Sequence, residues 1–390
     1  MKVLYIDYNM FGKDDIVRTF GLLGFEVVIE TRTAEVPEDS EEAHIILTDA
    51  IGMMKDGYVF TSNYYPMVSN ICNKFGVKYI SWTYDSPRVL LYDTSINNRC
   101  NYAFVFDSVE CGRLRGKGAN RVFYMPLGVA TDRINEIVID DKDNVYKAEV
   151  SLVASLYNEE HNLYDRLYSR LENYHKGYLD AVIQAQRHIF GGNILEESLD
   201  DNIVKAIYKA MPYELEKGSF ASLSYVYANY FLARKTASYQ RIDFIREVSD
   251  KYDMKVYTPG NLSGVPNAKH MGTVDYNTDM NKVFRLSKIN LNITLPSIQS
   301  GIPLRAMDIM GAGGFLLTNY QSDFEGLFEP DHDYVYYTSL KDALSKIDYY
   351  LKHEDERESI AENGRKKIEE YFTYYNQVKQ MLEIGGIEIQ

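Results

Sequence analysis

The chain has 390 residues, 45% of them hydrophobic and 25% charged, with a formal net charge of −14. That length predicts two or three domains with sizeable cores. The acidic balance argues against a nucleic-acid partner, whose phosphates call for a basic face, and against general attraction to an anionic membrane. The three cysteines, Cys72, Cys100 and Cys111, are too few and too scattered for a disulfide framework and read as reduced thiols. Asp7 interrupts the N-terminus before a signal-peptide core could form, and no apolar run is long enough to span a bilayer. A cytoplasmic protein without an integral membrane segment is therefore expected. The 34 tyrosines dot the whole chain and read mainly as compositional bias.

In chain order, residues 1 to 130 alternate short apolar runs with amphipathic stretches. The expected strands are Lys2–Asp7, Phe25–Glu30, His44–Asp49, Tyr58–Ser62, Lys78–Thr83, Tyr102–Phe106 and Arg121–Met125. They are rich in Val, Ile, Phe and Tyr and bounded by turn residues. Helical spacing lies between them, as in Tyr65–Phe75 and Ser108–Leu114. The polar break at Asp140-Asp141-Lys142-Asp143-Asn144 sets the first boundary, giving an N-terminal acceptor-side domain over 1–144.

The second domain, 145–371, opens on a strand at Glu149–Ala154. A long helical insertion follows over about 160–251. Alternation then resumes with Lys255–Tyr257, Asp279–Leu286, Ile289–Ile293, Leu304–Met310, Phe315–Thr318, Tyr334–Tyr337 and Leu340–Leu351, and ends on the charged helix Glu354–Phe372. Residues 372–390 form a C-terminal helix and tail whose Gly385-Gly386 segment is expected to fray. The whole reads as α/β: two Rossmann-like halves facing across a cleft, with ligand contacts in the loops after the C-terminal ends of the strands.

Particular segments carry a resemblance. Ile80-Ser81-Trp82-Thr83-Tyr84-Asp85-Ser86-Pro87 resembles the W-x-x-D-S-P segment of the CgeB-like, spore-maturation-type bacterial glycosyltransferases. Tyr124 through Val129 resembles their PLAV strand end, and Val153-Ala154-Ser155-Leu156-Tyr157 the first strand of their donor domain. The strongest match runs from Ile302 to Tyr320 and on through Asp323, Leu327-Phe328 and Phe372-Thr373-Tyr374. The resemblance implies a GT-B fold, a hexosyltransferase-type activity and a nucleotide-diphosphate sugar, a UDP-sugar first among the candidates. It leaves the acceptor, a glycan, glycolipid or protein, unidentified.

Glycosyl transfer must stabilise a leaving diphosphate and an oxocarbenium-like sugar, and an inverting reaction must also deprotonate the acceptor. Ser300-Gly301-Ile302-Pro303 opens a helix whose free N–H groups suit a diphosphate, with Pro303 in the first turn. Arg305, in that turn, can fork onto a phosphate. Asp308 falls where the resemblance puts an acid on the ribose hydroxyls. The plain alternative for both is a solvated helix charge. Asn319 and Tyr320 follow the next strand and point to the donor, unless they make an ordinary turn. Ser155 belongs to the donor set through the same resemblance. Arg234, Lys235 and Arg241 could neutralise the diphosphate without a metal, or simply form a solvated face. Tyr257-Thr258-Pro259-Gly260 ends a strand near the expected nucleobase site.

On the acceptor side, Asp85 is the candidate base, with a helix cap or turn anchor as the alternative. Asn63 and Tyr64, at the end of their strand, are expected to line the acceptor side, and Asp7 and Tyr8 are weaker candidates of the same kind. Many retaining GT-B enzymes carry two glutamates eight positions apart at the donor helix; Ser300 and Asp308 hold those places here. That departure leaves the stereochemistry open. Gly112 to Gly118 and Gly311 to Gly314 lack P-loop spacing and read as helix ends. Dispersed histidines and cysteines offer no metal-ligand pattern, so neither metal nor cofactor is expected. Two other readings stay open: a catalytically inactive GT-B binding module, and a GT-B nucleotide-sugar epimerase or phosphorylase.

Overall fold

The computed structural model describes residues 1–32, 40–160 and 162–388. Two compact units result, each built on a six-stranded parallel sheet. The first comprises Met1–Ala130, Leu215–Ala221 and Tyr371–Gln390, and the second Thr131–Glu214 and Ser222–Glu370.

The first unit runs β1 (Lys2–Asp7), α1 (Lys13–Leu22), β2 (Glu26–Thr31), α2 (Glu41–Gly52), β3 (Gly57–Ser62), α3 (Pro66–Phe75), β4 (Lys78–Thr83), β5 (Asn101–Val105), α4 (Ser108–Gly116) and β6 (Val122–Tyr124). Its sheet order is β2-β1-β3-β4-β5-β6. The inner strands are buried on both faces, which is why β1, β3 and β4 read as near-continuous apolar runs. Tyr5, Phe20 and Phe60 pack their rings together in this core. The chain steps outward from β1 to β2 and then back across β1 to β3, so the sheet's topological switch point lies between β1 and β3.

One expected strand is a helix. His44–Asp49 lies within α2, where Ser40 accepts the Ala43 N–H at 3.1 Å and Glu41 and Glu42 fill the first turn. Buried residues recur at Ala43, Leu47 and Ile51, a four-residue period that places one helical face inward. The Ile45-Ile46-Leu47 run imitates a strand only because two of its members lie off that face.

The second unit begins with α5 (Thr131–Asn135) and β7 (Ala148–Val153). The expected helical insertion is α6 (Leu163–Arg170), α7 (Asn173–Gln186), α8 (Asp201–Ala210), α9 (Leu223–Val226), a π-helical turn at Tyr227–Leu232 and α10 (Ala233–Ser249). Then follow β8 (Met254–Tyr257), β9 (Lys269–His270), α11 (Asp279–Leu286), β10 (Ser287–Asn292), α12 (Leu304–Gly311), β11 (Leu316–Asn319), β12 (Val335–Tyr337), α13 (Leu340–Lys352) and α14 (Glu354–Tyr371). The sheet order β12-β11-β10-β7-β8-β9 is the 3-2-1-4-5-6 arrangement of dinucleotide-binding folds, with its switch point between β7 and β10. Val150, Leu152, Ile289, Leu291 and Leu317 of the central strands pack with Phe244 and Val248 of α10 and Ile347 of α13.

The division by packing falls after Ala130, ahead of the expected boundary at 144. Arg285 on α11 donates to the carbonyls of Ile134 at 2.7 Å and Ile137 at 3.0 Å, and Lys282 pairs with Asp143 at 2.9 Å. These cations bind the intervening segment to the second unit. Residues 215–221 belong to the first unit: Ser219 bridges Asp93, and the Phe220 N–H reaches the Tyr92 carbonyl at 2.7 Å. The C-terminal helix α15 (Tyr374–Ile384) is also part of the first unit. Gly385-Gly386, expected to fray, is held there by the Lys78 ammonium, 2.9 Å and 3.1 Å from the two carbonyls.

Candidate functional site

The loop from β10 to α12 crosses the C-terminal edge of the second sheet beside the switch point. Its backbone is fixed from several directions. The Asn319 side-chain oxygen accepts the Thr294 N–H at 2.7 Å, and the Gln321 amide donates to Ile298 O at 3.1 Å and Gly301 O at 3.2 Å. The Asp323 N–H reaches Ser300 O at 3.0 Å, and Asn193 donates to Pro296 O at 2.9 Å. Asn193 also donates to Asn229 Oδ1, in the π-helical turn, at 3.3 Å. π-helical turns recur at functional sites because the extra residue re-aims the side chains around it.

This loop delivers α12 with no side-chain cap. Pro303 is the N-cap residue itself, one position earlier than expected, so the Leu304 and Arg305 N–H groups head the helix. Arg305 lies half-buried in the first turn, against Met280 Sδ and the Phe284 ring, with its Nη1 3.8 Å from Asp308 Oδ2. Asp308 is 3% exposed and accepts the Tyr276 hydroxyl at 3.3 Å. A buried carboxylate beside a guanidinium and an uncapped helix start can receive hydroxyls and, through its neighbours, a phosphate.

The loop after β7 adds aromatic surface and two cations. Tyr157 has φ 50°, and the Arg234 and Arg241 guanidinia lie 5.7 Å and 5.1 Å from its ring centroid. Arg241 donates to the carbonyls of Ser155 and Ile293. Lys235 is turned elsewhere, paired with Asp165 at 2.7 Å. The loop after β8 is zipped to the loop after β7: Asn158 donates to Asn261 O at 2.7 Å and accepts the Asn261 N–H at 3.1 Å. Gly260 is required there, because a Cβ would lie 2.7 Å from Asn158 Oδ1 and 2.8 Å from Leu156 Cβ.

The candidates that the sequence offers at this sheet fall into two kinds. Arg305 and Asp308 pair on α12, and Arg234 lies over the Tyr157 ring. Asn319, Ser300 and Gly301 are buried and serve through bonds that shape the loop. Tyr257, expected at the nucleobase, is 2% exposed and packs against Tyr146, and that burial raises its phenol pKa. The Tyr320 hydroxyl donates to Glu325 at 2.6 Å, and this bond holds its pKa up. Gln321, Asn193, Asn229 and Tyr157 were missed. A readable sign was available for Tyr157: Arg234 and Arg241 are two turns apart, on one helix face.

In the first unit, Asp7, Asn63 and Asp85 end β1, β3 and β4 around the other switch point. Asp7 pairs with Lys13 at 2.8 Å and accepts the Asn9 N–H at 2.8 Å. Asn63 is fully buried at φ 70°; its side-chain oxygen accepts the N–H groups of Tyr84 at 2.9 Å and Asp85 at 3.1 Å. Its amide donates to Asp85 Oδ2 at 2.8 Å. The exposed Asp85 carboxylate is thus held by one oxygen. Tyr8 stacks on Tyr65 at 3.7 Å, with the Arg88 guanidinium 4.7 Å from the Tyr65 centroid. Tyr64 is turned into the core, bonded to Ser95 at 2.7 Å, and burial raises its pKa.

Residues 238–383 match the model of a family described as glycosyl transferase-like. No protein of curated function matches the chain by sequence. Among solved structures, HepE of Anabaena in complex with UDP and glucose is 10% identical, with 98% of this chain and 99% of that one covered and a TM-score of 0.56. A glycosyltransferase from Rickettsia africae ESF-5 is 11% identical over 98% and 97%, with a TM-score of 0.55. T4 phage BGT in complex with UDP-glucose is 10% identical over 99% of each chain, with a TM-score of 0.50. At such identities the likeness is one of fold: the chain has the GT-B-like α/β fold of these glycosyltransferase structures.

Proposed function

We propose that this chain is a CgeB-like, hexosyltransferase-type glycosyltransferase that moves a sugar from a UDP-sugar to a hydroxyl acceptor without a metal. The observation that carries the reading is the edge of the second sheet, where an uncapped α12 carries Arg305 beside Asp308 and α10 sets Arg234 over Tyr157 in the loop after β7. That position is where open α/β sheets bind nucleotides. The family match spans Arg241, Arg305 and Asp308, and two of the similar folds are described with UDP or UDP-glucose.

In this reading Asp308 accepts ribose hydroxyls, while Arg305, Arg234 and the α12 N–H groups stabilise the diphosphate. The anomeric C–O bond breaks with its electron pair staying on the diphosphate oxygen, and the acceptor oxygen bonds to the anomeric carbon. Asp85, oriented by Asn63, takes the acceptor proton. The cations supply the charge stabilisation that a divalent ion gives elsewhere.

The test is a thermal-shift and hydrolysis screen against UDP, GDP, dTDP and CDP sugars, with Arg305→Ala and Asp308→Ala alongside. Stabilisation by UDP-sugars that both variants lose supports the assignment. Stabilisation without turnover in any acceptor screen favours an inactive binding module. No stabilisation by any nucleotide removes the donor assignment.

A further inference from the structure

Arg241 is a cation in an unusual position. It is 7% exposed, and its hydrogen-bond partners among the described residues are carbonyls, not carboxylates. A buried guanidinium without a counter-charge is costly unless its N–H groups are satisfied by other acceptors. Here two carbonyls accept from its Nη groups, Ser155 O in the loop after β7 and Ile293 O, 2.7 Å away, in the loop after β10, while its buried Nε has no hydrogen-bond partner. These loops leave the two strands that flank the switch point, β7 and β10, which pair directly. The guanidinium also lies over the Tyr157 ring, which occupies the left-handed region just beyond Ser155.

A single side chain thus spans the crevice in which the fold seats a nucleotide. Its planar fork suits two carbonyls at a set separation, a geometry that a lysine ammonium, with its single point of charge, cannot reproduce. Arg234 differs. It is half-buried over the same ring, and its hydrogen-bonding groups are not committed to either loop.

We propose that Arg241 is a positioning residue of the donor site: it fixes the spacing between the β7 and β10 loops, and its charge raises the potential of the crevice without touching the donor. Arg234 is the cation left to meet the diphosphate. This inference rests on the nucleotide-sugar reading and adds a division of labour between two arginines that sequence alone treats as equivalent.

The experiment compares wild type, Arg241→Lys, Arg241→Ala and Arg234→Ala. Hydrogen exchange of the peptides spanning 154–157 and 293–297 is measured without ligand, and UDP affinity is measured by calorimetry. Arg241→Lys is expected to speed exchange in both loops and to weaken UDP by about tenfold, the loss of one charge-assisted hydrogen bond. Free guanidinium ion added to Arg241→Ala is expected to restore protection and affinity together. Arg234→Ala is expected to weaken UDP with exchange unchanged.

Weakened UDP with unchanged exchange in Arg241→Lys would mean that Arg241 contacts the donor directly, and the proposal falls. Faster exchange with unchanged UDP affinity would make the residue structural only, and the proposal falls again. Should Arg241→Ala fail to fold, the lysine variant still decides. Absence of UDP binding by the wild type overturns the underlying UDP-sugar reading instead, so the two failures are distinguishable.

Discussion

The two sheets place different chemistry at the same topological point. In the first unit, the strand ends around the β1/β3 switch carry carboxylates, Asp7 and Asp85, with Lys13 and Asn63 as their partners. In the second, the segments around the β7/β10 switch meet guanidinia: Arg234 and Arg241 from α10, and Arg305 of α12 beside Asp308. An edge bearing an exposed carboxylate suits proton removal; an edge bearing arginines and an uncapped helix suits a leaving diphosphate. In the proposed reading, similar α/β scaffolds become an acid–base surface or an anion seat through the few residues near the strand ends.

The hardest test of this contrast is Asp85→Asn. The amide keeps the shape but cannot take a proton, so turnover of the identified UDP-sugar should fall by about 10²–10⁴-fold, the range for a lost general base. UDP affinity should stay within about twofold, since the variant lies outside the cationic edge. Steady-state kinetics and calorimetry on one preparation read both quantities. An equal loss in both would erase the distinction between the two edges.

Next in size is Asp308→Asn, which keeps volume and removes the charge beside Arg305. UDP should bind about 10–100-fold more weakly, the equivalent of one or two charge-assisted hydrogen bonds. Hydrolytic turnover at saturating donor should change much less, giving a KM effect where Asp85→Asn gives a kcat effect.

The sequence revealed strands better than side-chain roles. β1, β3 and β4 were readable because strands buried on both faces need near-continuous apolar runs. α2 was not, since Ile45-Ile46-Leu47 satisfies that same pattern while Ala43, Leu47 and Ile51 set the true period. Position in the chain placed Asp85 after β4 and Arg305 and Asp308 on α12. It could not tell whether a polar side chain turns outward to a ligand or inward to brace a loop. Asn63 and Asn319 turn inward, each accepting backbone N–H groups of a neighbouring loop. That choice depends on contacts between segments distant in sequence, and no local periodicity records it.

Gly260→Ala tests whether the donor edge depends on tight loop packing. The added methyl would meet Asn158 Oδ1 at 2.7 Å and Leu156 Cβ at 2.8 Å. Overpacking of this kind should lower stability by about 1–3 kcal/mol, measured by urea unfolding. UDP affinity should fall as well, because Asn158 and Asn261 join the β7 and β8 loops. Unchanged affinity would show that the β8 loop stands apart from the donor site.

The smallest expected effect concerns the first unit's far end. Lys78 starts β4, at the opposite end of the strand from Asp85, and its ammonium holds the carbonyls of Gly385 and Gly386. Lys78→Met keeps most of the aliphatic stem but leaves both carbonyls to water. Because this contact is largely at the surface, stability should fall by only about 0.5–1.5 kcal/mol. Exchange should quicken in the last turn of α15, while donor affinity and turnover stay at wild-type values. A loss of turnover would mean that the tail's anchorage is transmitted along β4 to the carboxylate edge. The chemistry would then depend on the whole strand, and the contrast between the two edges would no longer rest on the residues that follow it.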